Sequence, residues 1–319
     1  MALPAVAVLD DYQGLARGFQ SWQRLTGRIA LETFTDHLVD DDALAERLAM
    51  FEVIVAMRER TPFTRARLER LANLKLLTTT GMANAAIDMQ AARELGVVVC
   101  GTRSGVGATA ELTWGMIIAL TRHICVEDRN VREGGWQTTI GPELAGRTLG
   151  IIGLGRLGTR IAAYGAAFEM RVVAWSQNLE VERARSLGVE PVALDELLKC
   201  ADVVSIHTRL SDRTRGLIGL RELELMKPTA YLVNTSRGPI IDEQALLAAL
   251  QEKRIAGAAL DVFDDEPLPR EHPLRSAPNT LLTPHIGYVG WDAYTGFYSE
   301  IVENIEAWLD GAPVRVLNS

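Results

Sequence analysis

Two groups of residues in this 319-residue sequence have types and spacings suited to chemistry. The first is Gly153-x-Gly155-x-x-Gly158 in "GIIGLGRLG", directly after an apolar run and at the start of a helical pattern. There the first glycine permits a tight turn, the second lets backbone approach a pyrophosphate, and the third lets helix and strand pack closely. The helix start, at Arg156, Leu157 and Gly158, offers unpaired N–H groups and positive dipole potential to phosphates. Glycines also gather in ordinary turns, so the strand–turn–helix setting carries this reading. The second group is Arg237 in "VNTSRGPIIDE", Glu266 in "ALDVFDDEPL" and His285 in "LLTPHIG", each at or just past the end of a strand-like run. Ligands of open α/β sheets collect at the carboxyl ends of strands, so all three are expected to face the nicotinamide end of a dinucleotide. Singly, they read as a surface charge, a cap and a satisfied loop histidine; together, behind the glycine fingerprint, they favour a site.

One expected feature is missing. About 20 residues past the glycines, an Asp or Glu usually holds the ribose 2′-hydroxyl of NAD. Here "RVVAW" is followed by Ser176-Gln177-Asn178. Serine can bond a ribose hydroxyl but does not repel a 2′-phosphate. No arginine follows at once, although the fold could bring Arg183 and Arg209 near. NAD is the expected cofactor, and NADP stays open.

The elements that must position these residues follow from hydrophobic patterning. "AVAVLD", "RIALETF", "EVIVAM", "LKLLTTT" and "GVVVCG" are strand-like, with helical stretches at 40–50 and 64–72 among them. "TLGIIGL", "RVVAW", "DVVSIH", "AYLVNT", "AGAALDV" and "TLLTPH" repeat the pattern. Alternation of this kind makes βαβ units and parallel sheets covered on both faces. The chain is therefore expected to be α/β, with two doubly wound parallel-sheet domains. The segment 108–125 is apolar on more than one face and reads as one helix between packed layers, placed between the domains. An amphipathic helix over 290–309 follows the last strand and is expected to return to the first domain.

Bulk properties narrow the function. A chain of this length suits two cores. A net charge of −8 argues against a nucleic-acid partner, which normally meets a basic excess. Cys100, Cys125 and Cys200 lie far apart in apolar stretches without metal-ligand spacing. They are expected to be buried free thiols, with no metal site. "MALPAVAVLDDYQG" lacks a basic flank and reads as a first strand, not a signal peptide. No run reaches the roughly 18 apolar residues of a membrane span. A cytoplasmic protein with no membrane partner is expected.

The motifs "TGMANAAIDMQAARELGVVV", "GIIGLGRLG", "MKPTAYLVNTSRG", "ALDVFDDEP" and "TPHIG" resemble the D-isomer-specific 2-hydroxyacid dehydrogenases over nearly the whole chain. The family includes phosphoglycerate and lactate dehydrogenases, glyoxylate/hydroxypyruvate reductases and formate dehydrogenase. The resemblance implies hydride exchange between a nicotinamide and C2 of a D-2-hydroxy or 2-keto acid. It implies a flavodoxin-like substrate domain over 1–105 plus 291–319, a Rossmann dinucleotide domain over 106–290, an interdomain cleft and a homodimer. The family's catalytic arginine, acid and histidine fall on Arg237, Glu266 and His285. A guanidinium fork suits a carboxylate and the adjoining keto oxygen. An imidazole suits proton delivery to that oxygen, and a carboxylate within hydrogen-bonding reach favours its charged form. Glutamate rather than the glutamine of the formate branch fits keto-acid chemistry.

The same resemblance turns Asp261 toward the nicotinamide carboxamide and lines the cofactor loops with His207, Thr208, Thr235 and Gly287. His207, which ends a strand, has a structural reading too. Arg209 departs from the family's usual proline after His-x, which leaves 2′-phosphate preference open. "AMRERTPF" resembles the loop by which phosphoglycerate dehydrogenases meet their substrate, so Arg58 and Arg60 are candidate phosphate contacts or two solvated charges. Thr80, Gly81 and Met82 offer backbone N–H groups for a substrate carboxylate. No C-terminal regulatory domain follows, so feedback through one is not expected. The substrate is a 2-hydroxy acid, with 3-phosphoglycerate one candidate. The alternative is a dinucleotide-sensing binding protein like the corepressors of this fold. Those keep the three residues but usually add disordered tails.

Overall fold

The computed structural model describes residues 3–103 and 105–319. The chain divides into two compact units, Met1–Gly105 with Gly290–Ser319, and Val106–Val289.

The first unit carries β1 (Ala5–Val8), β2 (Ala30–Thr33), β3 (Val53–Ala56), β4 (Leu76–Thr79) and β5 (Val98–Cys100). They form a parallel sheet in the order β2-β1-β3-β4-β5. Every residue of β3 and β4 is buried, as a parallel sheet covered on both faces requires. Helices α1 (Asp41–Leu48), α2 (Arg65–Glu69) and α3 (Met89–Glu94) alternate with the strands. Each begins on a short polar side chain that takes first-turn N–H groups: Asp40, Thr64 and Asp88.

The last helix, Trp291–Leu309, belongs to this unit and lies on β4 and on the 3-10 segment Gln20–Leu25. Phe19 stacks on Tyr298 with ring centroids 4.5 Å apart. The wholly buried Asn304 donates to Thr78 Oγ1 at 3.1 Å and to the Gly101 carbonyl at 2.9 Å. Its own amide oxygen accepts from Arg315 Nε at 2.9 Å. No polar group of that side chain is stranded in the core.

The second unit opens with α4 (Gly107–Thr121) and α5 (Ile124–Arg132), followed by β6 (Thr148–Ile152), α6 (Arg156–Ala167) and β7 (Arg171–Trp175). After α7 (Val181–Ser186) come β8 (Glu190–Pro191), α8 (Leu194–Cys200), β9 (Val203–Ile206) and α9 (Leu220–Leu225). The unit closes with β10 (Tyr231–Asn234), α10 (Glu243–Gln251), β11 (Gly257–Leu260) and β12 (Thr280–Leu282), so the last helix is α11. The parallel sheet runs β12-β11-β10-β9-β6-β7-β8. β6 is flanked by β7 on one side and β9 on the other, so the strand order reverses there. Alternate residues feed two cores: Ile152, Val204 and Leu232 on one face, Ile151, Val203 and Val233 on the other. Within this unit α4 packs on α6, β10, β11 and β12, which accounts for its apolar character on several sides.

Two expectations need correction. The single helix over 108–125 stops at Thr121, because His123 adopts φ +53° and turns the chain before α5 begins. In consequence Cys125 sits on α5 and is exposed, not buried. Cys100 is buried, and burial pushes its thiol up to about 11; Cys200 is half-buried. The two-residue strand β8 was not foreseen. Among the described residues no group of three or more His, Cys, Asp or Glu could hold a metal, and no helix is long and apolar enough to cross a membrane.

Candidate active site

The register of the seven-stranded sheet brings Asn234, Leu260 and Leu282 side by side at the carboxyl ends of β10, β11 and β12. Arg237, Glu266 and His285 therefore leave the same edge on three neighbouring loops. Gly238 lets the first two loops approach: a Cβ there would lie 2.1 Å from the Phe263 carbonyl carbon. Glu266 divides its two oxygens. Oε1 accepts the Phe263 N–H at 2.9 Å, and Oε2 meets His285 Nδ1 at 2.5 Å. With Nδ1 held by a carboxylate, Nε2 is the nitrogen left to exchange a proton with a ligand. The Tyr288 ring stands edge-on to the imidazole, centroids 5.5 Å apart.

His285 adopts φ +52°, a region that non-glycine residues enter only where the surroundings impose it. Asp261 supplies that constraint. Its Oδ1 accepts from Thr283 Oγ1 at 2.6 Å and from the Ile286 N–H at 2.8 Å, and its Oδ2 from the Gly287 N–H at 2.8 Å. The carboxylate thus clasps the loop on both sides of His285. Burial raises its proton affinity above the ordinary aspartate range, and the three donors oppose that rise. Gly287, expected to line the cofactor loops, gives its N–H to this clasp.

Arg237 donates from Nη1 to the Ser236 carbonyl at 2.7 Å, and Asn234 Nδ2 donates to the Arg237 carbonyl at 2.9 Å. The Ser236 hydroxyl donates to the Thr208 carbonyl and so ties the β10 loop to the β9 loop. The Thr235 and Thr113 hydroxyls lie 2.8 Å apart. Since Thr113 donates to the Thr109 carbonyl at 2.7 Å, Thr235 is the donor of that pair and keeps its lone pairs.

The glycine turn lies between β6 and α6. Gly153 has φ +101°, and a Cβ there would sit 2.7 Å from the Thr208 nitrogen. Gly158 is closed in more tightly: its Cβ would be 2.1 Å from the Gly153 oxygen. Gly155 differs, because a Cβ would meet nothing within 4 Å. Packing thus explains the outer two glycines, and open space beside α6 explains the middle one. The first helical N–H with an internal partner is that of Thr159, bonded to the Gly155 oxygen at 2.9 Å. The preceding donors of this first turn have no helical partner, as an acceptor such as a dinucleotide pyrophosphate requires. His207 Nε2 pairs with Ser205 Oγ at 2.8 Å; its Nδ1 is buried without a partner, and burial lowers its pKa to about 3. The ring is a neutral imidazole at ordinary pH. Among the described residues no side-chain partner holds Ser176, past the end of β7.

The first unit's candidates gather at the carboxyl edge of its own sheet. Arg58, at φ +55°, donates from its N–H to Thr80 Oγ1 at 2.8 Å and from Nη1 to the Thr80 carbonyl at 3.1 Å. Arg60 donates to the Asp10 carbonyl at 2.6 Å and lies over the Tyr12 ring, 4.3 Å from its centroid. Neither is a plain solvated charge. The Thr80 N–H is taken by the Ala56 carbonyl at 3.2 Å, and the Gly81 N–H by Thr102 Oγ1 at 3.0 Å. Of the three N–H groups expected at a carboxylate, that of the half-exposed Met82 has no such bond among the described residues. Tyr288, Phe263, Thr283 and Ser205 were not foreseen; each acts through a contact that spacing alone does not encode.

Residues 114–287, more than half of the chain, match the profile of the D-isomer specific 2-hydroxyacid dehydrogenase NAD binding domain. A glyoxylate reductase of Aeropyrum pernix is 40% identical over 79% of this chain and 78% of its own length. A D-3-phosphoglycerate dehydrogenase of Methanocaldococcus jannaschii is 37% identical over 85% of this chain but 52% of its own, so the chain spans about half that relative. The crystal structure of a phosphoglycerate oxidoreductase from Vibrio cholerae superposes with TM-score 0.94 and 39% identity, covering 97% of this chain and 100% of that one. With the glycine cradle and the His285–Glu266 pair, these likenesses establish that the chain belongs to the D-isomer specific 2-hydroxyacid dehydrogenase family of NAD-dependent oxidoreductases.

Proposed function

We propose that the protein interconverts a small D-2-hydroxy acid and its 2-keto acid, with Arg237, Glu266 and His285 as the catalytic residues. The observation that carries this reading is the 2.5 Å contact of Glu266 Oε2 with His285 Nδ1, at the carboxyl edge that also carries Arg237. A bound nicotinamide supplies or accepts the hydride at C2. The Arg237 fork binds the substrate carboxylate and polarises the C2 oxygen. His285 Nε2 gives that oxygen its proton during reduction and recovers it during oxidation. Glu266 fixes the ring's orientation and stabilises the imidazolium, and Asp261 holds the loop that bears it.

Gly153, Gly155, Arg156, Leu157 and Gly158 are assigned to the dinucleotide phosphates, and Ser176, His207, Thr208, Thr235, Asp261 and Gly287 to the rest of the cofactor site. Arg58, Arg60, Thr80, Gly81 and Met82 are the first unit's candidate substrate contacts. A small unphosphorylated acid is favoured because the guanidinium groups of Arg58 and Arg60 both bond backbone carbonyls of their own unit. The paired cations keep 3-phosphoglycerate as the second substrate reading. A cytoplasmic homodimer is part of the proposal. Its support is the apolar surface of α5 and the following segment, where Trp136 is 73% and Ile140 98% exposed.

The test is oxidation of NADH with glyoxylate, hydroxypyruvate, pyruvate and 3-phosphohydroxypyruvate, with Arg237→Ala and His285→Ala as controls. Turnover of one acid that both substitutions abolish supports the reading. NADH binding without turnover of any acid favours the dinucleotide-sensing alternative.

A further inference from the structure

The proposed catalytic chemistry uses one end of the dinucleotide. The other end lies where β7, β6 and β9 send out three consecutive loops. Ile152 is in register with Trp175 on one side and Ile206 on the other, so these loops start level. The Gly153 N–H bonds to the Trp175 carbonyl at 2.8 Å, which sets Ser176 beside the first glycine of the cradle. A ribose whose pyrophosphate rests on the start of α6 presents its 2′ position to the residue after β7. That residue is usually a carboxylate when the partner is a hydroxyl, because a carboxylate both accepts the hydroxyl proton and repels a phosphate.

None of the three loops carries an acid. Residues 153–159, 176–179 and 207–211 contain no Asp or Glu, and the first to follow are Glu180 at the start of α7 and Asp212. Two cations stand there instead. Arg156 is the first residue of α6, and Arg209 lies three residues beyond the end of β9. Both are exposed, and neither guanidinium is held by an ion pair or a side-chain hydrogen bond among the described residues. Several arginines elsewhere are paired instead, Arg171 with Glu190 at 2.7 Å and Arg47 with Asp36 at 2.8 Å. Unengaged guanidinium groups on the two loops that follow next in the sheet's order after the one bearing the Ser176 hydroxyl suit a doubly charged phosphate.

We propose that this chain accepts NADP(H) alongside NAD(H), with Ser176 as the residue that admits the 2′-phosphate and Arg156 and Arg209 as its cationic contacts. The inference rests on the dinucleotide reading of the second unit and adds which form of the cofactor its ribose subsite takes.

The experiment reads binding, not turnover. Dissociation constants for NADH and NADPH are measured on the native protein by calorimetry, with 5′-AMP and adenosine 2′,5′-bisphosphate as competitors that probe the adenosine end alone. NADPH is expected to bind within about thirtyfold of NADH, and the bisphosphate to compete better than AMP. Ser176→Asp is expected to move the NADPH-to-NADH ratio of dissociation constants at least about a hundredfold toward NADH. NADPH binding weaker than that limit, or a bisphosphate no better than AMP, overturns the proposal on the native protein alone. A ratio unchanged in a variant that still binds NADH overturns the role of Ser176. If the native protein binds no dinucleotide at all, the dehydrogenase reading itself falls.

Discussion

Both units end a parallel sheet in polar loops, yet the two carboxyl edges are used differently. At the edge of β1 and its neighbours, side chains are consumed internally. The buried Asp10 takes Thr61 Oγ1 at 2.7 Å and pairs with His37 Nδ1 at 2.8 Å, while Asp11 takes the N–H groups of Leu15 and Ala16 at 3.0 Å each. Arg60 bonds the Asp10 carbonyl. At the edge of β6 to β12, groups are held by one side and presented by the other. His285 is fixed through Nδ1, Gly155 opens onto space, and Arg156 and Arg209 are unengaged. The first edge is arranged for stiffness and the second for chemistry, on the same layered plan.

The comparison breaks most directly at the second edge. His285→Ala or Arg237→Ala is expected to lower kcat/KM for keto-acid reduction by about 10²–10⁴-fold while NADH titrations stay close to native. A loss under tenfold in both variants would remove these side chains from the chemistry. Gly155→Ala should next weaken dinucleotide binding by about tenfold or more with an unchanged Tm, because its Cβ meets nothing in the protein. Gly158→Ala should fail in folding instead, its Cβ falling 2.1 Å from a carbonyl oxygen. Asp10→Ala is the mirror test: it strands the donors of Thr61 and His37 and should cost about 1–3 kcal/mol in urea titrations, with NADH affinity kept. An Asp10 variant with native stability would remove the stiff edge from the comparison.

Two smaller effects are read against pH. His207 is buried neutral with its pKa lowered to about 3 from 6.5, so the unfolded chain takes up a proton that the folded chain refuses. Stability should therefore fall as pH drops from 6.5 toward 3, and His207→Gln should flatten that slope in thermal melts. The smallest effect concerns the half-buried Glu127, whose Oε1 accepts from the N–H and hydroxyl groups of Thr138 and Thr139. Those donors lower its pKa from 4.5 to about 2. Its stabilising contribution is thus complete above about pH 4.5 and lost as pH falls through 2. The Tm difference between native protein and Glu127→Gln should shrink over that interval.

Much of the second edge was legible because its signals are local. The glycines sit at fixed offsets between one strand and one helix, and Arg237, Glu266 and His285 each follow an apolar run whose end marks the sheet edge. The first edge was legible only as strands. That the Gly81 N–H belongs to Thr102, 21 residues on, is decided by pairing across β4 and β5. The break before α5 was hidden because "TRHIC" contains neither glycine nor proline, and His123 supplies the left-handed turn instead. Tyr288 beside His285 depends on a ring orientation that spacing does not specify. The Asp261 clasp was not foreseen for a related reason: its bonds to Thr283, Ile286 and Gly287 depend on how the next loop folds back, which spacing does not specify.

The placement of α11 bears on the order of assembly. The residues from Val106 to Val289 form one uninterrupted stretch that can close around its own sheet as soon as it has left the ribosome. The other lobe cannot, since Tyr298, Ile301 and Asn304 of its core are translated almost 200 residues after β5. During synthesis the earlier segment must wait, its β4 face uncovered, for a helix that follows almost 200 residues later. A chaperone that shields apolar surface would find its binding site on the older part of the nascent polypeptide.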